Sequence, residues 1–382
     1  MKSTPIILTL ILLLKSYFFI NVLPSCEEGA QIFDNKYTCS SSDNKDIGSG
    51  TNGTVFLVKE IASGENRVLK IGRRDVMRQN ENVINKVLNL HKNKNDFEKK
   101  KYIAQFYERR QDREFNYEIF EYASKGSLLE LIQKFLENNK KDDRYMLQLF
   151  KKIIQGVQVI HDNGIIHADL KLENIVLDKN DDPKIIDFDI SVPKNSFSAM
   201  RGTMHYIAPE VLTSLLQNKK DSFNEKMDIW SLGIILYNMI SYDHPFSFTI
   251  FEDKLYVPNY KIIKFKKGIP YDIIHIILMM LKYNSEDRAT LDQVLKAISD
   301  VERKNEWQVT EDDVLFFTNI NYTEQDIRKI KHIQSEGTPQ LINIFKLLPL
   351  IVVPTSIVCL IGYYFYKKQT TGTGNLEGIR TD

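Results

Sequence analysis

The chain predicts an α+β fold, and three observations carry that prediction. Thr54, Val55, Phe56, Leu57 and Val58 are β-branched or apolar and follow a glycine-rich stretch directly, so they read as a strand. Val83, Ile84, Val87 and Leu88 recur with a 3.6-residue period, the stripe of an amphipathic helix. A series of short motifs then runs in one order as far as Arg288. With 382 residues, 43% of them hydrophobic, the chain can bury a sizeable core. Its net charge of +1 gives no global basic bias, so nucleic acid is not an expected partner. Lysine-rich runs at 91–95 and 98–101 read as solvated faces.

Gly48, Gly50 and Gly53 lie at the spacing of a loop whose bare backbone can close over phosphates. The same spacing occurs in dinucleotide-binding turns, which continue into a helix; here the strand at 54–58 follows instead. Arg67, Val68, Leu69 and Lys70 come next. Further on stands the run His167, Ala168, Asp169, Leu170, Lys171, Leu172, Glu173, Asn174, and thirteen residues after it Asp187, Phe188, Asp189. Two carboxylates, an amide and a lysine at this spacing suit phosphoryl transfer from a metal-bound nucleotide. That chemistry needs positioning and charge neutralisation more than covalent help.

Residues 167–174 resemble the catalytic loop of protein kinases, and 187–189 resemble their metal-binding turn. Residues 202–210, from Gly202 and Thr203 to Ala208, Pro209 and Glu210, resemble the family's substrate-binding segment. Asp228, Trp230 and Gly233 resemble its buried anchoring helix. On these motifs the chain is identified as a member of the eukaryotic protein kinase family, serine/threonine type. The resemblance implies a two-lobed domain over 42–303, with a β-rich N-lobe at 42–123 and a larger helical C-lobe at 124–303. Nucleotide is expected between them.

The resemblance also implies ATP and Mg²⁺ as cofactors and protein substrates with Ser or Thr acceptors, because Lys171 fills the slot that serine/threonine kinases give to lysine. Asp169 is expected to orient the acceptor hydroxyl and Lys171 to offset charge on the γ-phosphate. Asn174 and Asp187 are expected to hold Mg²⁺ through oxygen. Lys70 would pair with the phosphates, and Thr203 would bind substrate. Ile47, Gly48, Gly50, Gly53, Val55 and Val68 would roof the nucleotide over Val176, with Phe120 as gatekeeper and hinge backbone from Glu121 to Ala123. Arg288 is implied to pair with Glu210 in a buried ion pair. The glutamate that pairs with Lys70 is assigned to Glu81; sliding the alignment by one residue puts Asn80 there instead.

Two positions depart from the family. Ala168 replaces an arginine that binds a phosphorylated activation loop, so phosphate on Ser196 or Ser198 would lack its usual partner. Activity is therefore expected not to depend on phosphorylation there. Asp189 replaces the glycine after Phe188, adding a negative charge near the metal.

The ends carry their own signals. Residues 1–25 read as a signal peptide, with Lys2 ahead of an apolar run and small residues near Ser25. As a spanning helix this run would bury Lys15 at a cost of about 2.5 to 3.5 kcal/mol. Residues 347–366 carry no formal charge, end in tyrosines and stop at Lys367 and Lys368, which reads as a transmembrane helix and makes the lipid bilayer a partner. Residues 26–41 are expected as a linker, 304–346 as a juxtamembrane segment and 367–382 as a polar tail. A single-pass protein of the secretory pathway or cell surface follows, its domain lumenal or extracellular; flanking charges leave the orientation open. Cys26 and Cys39 could bridge or remain two thiols. Sequons stand at Asn52 and Asn321, and a glycan on Asn52 would block the nucleotide loop.

Three functions fit these residues: a membrane-anchored serine/threonine kinase, a nucleotide-binding pseudokinase acting as membrane scaffold or receptor, and a kinase-like enzyme acting on a small molecule or sugar.

Overall fold

Antiparallel strand pairing builds the first lobe. The hairpin β1 (Gln31–Ile32) and β2 (Tyr37–Cys39) is followed by β3 (Gly48–Gly50), β4 (Gly53–Glu60) and β5 (Asn66–Arg73). Helix α1 (Glu81–Leu90) precedes β6 (Phe106–Gln111) and β7 (Phe115–Glu121). All seven strands form one sheet in the order β1-β2-β4-β5-β7-β6, with β3 on β4. In β5, Leu69 and Ile71 are buried and join Tyr37, Cys39, Val58 and Ile119 in one apolar cluster. Val68 and Lys70 point to the other face. There the antiparallel register sets Lys70 opposite both Val55 and Glu118, and Val68 opposite Phe120.

The computed structural model describes residues 26, 29–39, 48–50, 53–73, 81–90, 100–198, 202–216, 221–222, 224–251, 255–258, 260 and 262–318. The expected signal peptide, transmembrane helix and polar tail, and Ile47, Asn52 and Asn321, lie outside them. Among the described residues no helix is long and apolar enough to cross a membrane.

Helices dominate the second lobe. Ser127 caps α2 (Leu128–Glu137) and Asp142 caps α3 (Asp143–Asp162), each side chain accepting a backbone N–H of the first turn. The short strands β8 (Ile165–Ile166), β9 (Ile175–Leu177), β10 (Pro183–Ile185), β11 (Val192–Pro193) and β12 (Phe197–Ser198) follow. After α4 (Pro209–Leu216) and β13 (Asp221–Ser222), helix α5 (Lys226–Ser241) is buried from Met227 to Ile240. A helix covered on every side is the centre of its lobe. The chain closes with β14 (Phe248–Phe251), β15 (Leu255–Pro258), β16 (Ile262–Phe265), α6 (Tyr271–Met280), α7 (Leu291–Glu302) and β17 (Val314–Phe317). Arg288, 2% exposed, makes the expected ion pair as a two-pronged contact with Glu210, at 2.6 and 2.5 Å. Breaking such a pair costs about 3 to 5 kcal/mol.

Two expectations are corrected. Residues 26–41 are not a plain linker: Cys26 and Cys39 form a disulfide, and β2 pairs with β4. Strands of two and three residues are too short to show alternation in sequence, which hid them. The left-handed residues Phe33, Asp34 and Asn35 turn the hairpin, and Phe33 and Tyr37 fall into the core. Similarly, the segment after Arg303 does not leave the lobe at once. Strand β17 pairs antiparallel with β16, and Trp307 packs under Arg144 at 4.5 Å.

Candidate active site

The catalytic loop is anchored from beneath. Asp228 of α5 is fully buried; its Oδ2 accepts from His167 N–H at 2.8 Å and lies 2.8 Å from His161 Nε2, while its Oδ1 accepts from Ala168 N–H at 2.9 Å. Burial alone would raise the pKa of this carboxyl; His161 and the N–H donors hold it below the ordinary range. Ser191 Oγ donates to His167 O at 2.9 Å. Held this way, Ala168 adopts a left-handed φ of 67°, and the chain turns at Asp169.

Asp169 then collects donors from three directions. Thr203 donates its N–H at 2.9 Å and its hydroxyl at 2.7 Å to Oδ1. Lys171 Nζ donates to Oδ2 at 2.8 Å and to Thr203 Oγ1 at 3.1 Å. Asn174 Nδ2 donates to the Asp169 carbonyl at 2.9 Å and to Oδ2 at 3.1 Å. Gly202 lets Thr203 come this close: its φ is 114°, and a Cβ there would sit 2.8 Å from Ala168 O. Four expected site residues, Asp169, Lys171, Asn174 and Thr203, are thus brought together.

Lys70 meets two carboxylates. Its Nζ lies 2.8 Å from Asp187 Oδ1 and 2.6 Å from Asp189 Oδ2. Burial opposes the charge on Lys70, and Asp189, Asp187 and Glu118 together outweigh it, so the amine is held protonated above its ordinary range. Against burial, Lys70 pulls Asp187 below the ordinary carboxylate range, while burial pushes Asp189 up. Asp187 takes a left-handed φ of 65°, and Phe188 packs on the His167 ring at 5.0 Å. Glu81 opens α1, but its side chain lies outside the described residues.

On the nucleotide side, Val55, Val68 and Val176 are half-buried, as a two-sided apolar slot requires. Phe120 stacks on Phe106 at 4.7 Å. Glu121 N–H donates to Gln105 O at 2.8 Å, and its carboxylate pairs with Lys184 at 2.8 Å, fixing the strand end before Ala123. Gly48 and Gly50 sit on β3 and Gly53 opens β4; a Cβ on Gly53 would lie 2.3 Å from Ile71 O. The donor set fits Mg²⁺: Asp187 is an ionised carboxylate, and Asn174, with its amide nitrogen committed to Asp169, offers Oδ1.

The profile of the protein kinase domain matches residues 41–298 of the chain, more than half of its length. The chain belongs to the protein kinase domain family. It is similar to NUAK family SNF1-like kinase 1 of Homo sapiens, 29% identical over 254 residues that cover 65% of this chain and 36% of the relative. Serine/threonine-protein kinase PKH2 of Candida albicans is 29% identical over 276 residues, covering 66% and 27%. Serine/threonine-protein kinase PLK2 of Mus musculus is 28% identical over 255 residues, covering 64% and 33%. The chain thus spans about a third of the length of the curated relatives it matches.

Two features of this kinase domain escaped sequence reasoning. One is Asp189 as a direct partner of Lys70. The other is Glu118, 1% exposed, with Arg109 Nε 3.1 Å from its Oε1 but no hydrogen bond to either carboxylate oxygen among the described residues. Burial pushes the Glu118 carboxyl up to about 7, against the pull of Lys70 and Arg109. A signal for it existed: Asn116 and Glu118 are polar residues at strand spacing on the buried face of β7.

Proposed function

We propose that the chain is a serine/threonine protein kinase that transfers the γ-phosphate of ATP to Ser or Thr hydroxyls of protein substrates. The observation that carries this is the Asp169 carboxylate, held at once by Thr203, Lys171 and Asn174. A carboxylate so fixed can orient an acceptor hydroxyl and take up its proton as the oxygen attacks phosphorus and the bond to ADP breaks. Lys171 supplies positive charge beside it. Lys70 would hold nucleotide phosphates, while Asn174 and Asp187 would hold Mg²⁺, which neutralises charge on the phosphates when bound.

Membrane attachment through residues 347–366, with the domain on the lumenal or extracellular side, belongs to the same proposal. Support comes from the hydropathy of that segment and from the Cys26–Cys39 disulfide, which suits an oxidising compartment. This placement requires Asn52 to stay unglycosylated. A second reading, a nucleotide-binding pseudokinase, is favoured by the two carboxylates on Lys70, which compete with phosphate for it.

The test is Mg²⁺-dependent transfer of labelled phosphate from ATP to a mixed protein acceptor by the purified chain and its Asp169→Asn variant. Transfer by the wild type and its loss in the variant support the kinase. Nucleotide binding without transfer in either protein overturns it in favour of the pseudokinase. A small acceptor phosphorylated where peptides fail would point to the third function.

A further inference from the structure

The turn that begins at Asp187 carries one carboxylate more than the family motif, and that carboxylate has a defined place. Asp189 Oδ2 lies 2.6 Å from Lys70 Nζ, and its side chain is 6% exposed. Asp187 also touches Lys70, at 2.8 Å, but with its side chain 32% exposed. Of the two acids, the more open one fits a metal; the enclosed one has a cation at hydrogen-bond distance. If Asp187 turns its oxygens to Mg²⁺, Lys70 still keeps one anion in contact. A buried ammonium without a counter-charge is costly, so this matters energetically.

The surroundings reinforce the arrangement. Glu118 stands directly opposite Lys70 in the β5–β7 register and is buried, with Arg109 behind it. Lys70 is therefore set among three acids that belong to the turn and to a neighbouring strand. None of them is on α1.

We propose that Asp189 is the positioning residue for Lys70, doing from the metal-binding turn what the family resemblance assigns to a glutamate on α1. The inference rests on the kinase reading for its catalytic consequence and on geometry alone for the pairing. A glycine at this position has no side chain with which to do the same. The lysine's placement is then coupled to the turn that carries the metal ligand.

The experiment uses the purified full chain and has two readouts. The first is thermal unfolding in EDTA, which needs neither activity nor metal, for wild type, Asp189→Asn, Lys70→Met and the double variant. Asp189→Asn should lower Tm in the wild type and raise it in the Lys70→Met background, where it removes an acid left without its cation. Additive shifts overturn the pairing. The second is steady-state transfer. Asp189→Asn should lower kcat about tenfold or more, with KM for ATP within about threefold and no recovery when Mg²⁺ is raised. Asp189→Glu should restore part of the loss. Wild-type kcat in Asp189→Asn, or its recovery by Mg²⁺, overturns positioning, the latter because it marks a metal ligand. Should the wild type not transfer phosphate at all, the kinase reading falls, and the proposal stands or falls on the unfolding cycle.

Discussion

Thr203 gives Asp169 two donors and gives Lys171 an acceptor, so one hydroxyl orders two charged groups. Removing it leaves the backbone N–H but lets both side chains drift. Hydrogen bonds to charged groups contribute about 1.5 to 3 kcal/mol, so Thr203→Val should lower kcat by about 10- to 100-fold. Thr203→Ser, which keeps the oxygen, should stay within a few-fold of wild type; equal losses in both variants would show that the methyl group matters instead. Glu118 makes a separate prediction in pH. Its carboxyl is raised from 4.5 to about 7 in the folded chain, so between those values the folded state binds more protons than the unfolded one. Stability from this group therefore falls as pH rises through that window. Glu118→Gln should gain on the wild type from pH 5 to pH 8, by at most about 3 kcal/mol less whatever Arg109 loses. A wild type–variant difference in Tm that is flat across this range would contradict it.

At the scale of elements, the activation segment is tied by backbone pairing. Strand β11 pairs with β8, β12 pairs with β13, and Lys194 reaches Glu225 at 2.6 Å. Thr203, just beyond, is already on Asp169. A segment held this way does not need a phosphate and an arginine to order it, and Ala168 offers no arginine. The Ser196→Ala, Ser198→Ala double variant should keep transfer within about threefold of wild type. A loss of a hundredfold would mean that phosphate finds a partner other than residue 168. Helix α5 ties these parts together: Ser231 Oγ donates to Tyr206 O at 2.9 Å, and Asp228 holds the catalytic loop.

On the scale of the whole molecule, the N-lobe begins earlier than its motifs. The disulfide closes a sequence separation of 13 residues at the outer edge of the sheet. From there Lys36 and Tyr37 bond Glu108 on β6, at 2.6 and 2.8 Å, and Asp34 pairs with Arg110. The hairpin therefore joins one edge of the seven-stranded sheet to the other. A cross-link of this loop length contributes about 2 to 4 kcal/mol. Cys39→Ser should lower Tm accordingly, a reductant should do the same to the wild type, and adding reductant to the variant should change nothing more. Unchanged Tm in both cases would show that the hairpin stays docked on its apolar contacts alone.

What the sequence determined by itself was local or periodic. The residues of 167–174 act within one loop, where spacing alone brings Asp169, Lys171 and Asn174 together; the strand at 54–58 follows from its β-branched and apolar residues, and α1 from a period of 3.6. Tertiary structure decided what depends on register between distant segments. Lys70 and Asp187 are 117 positions apart. The side chain opposite Lys70 is Glu118 only because β5 and β7 pair in one register; a shift of one residue would send it to the other face. Strands β1, β2 and β17 were invisible for a related reason, since segments of two to four residues gain their order from the neighbour they pair with and not from their own pattern.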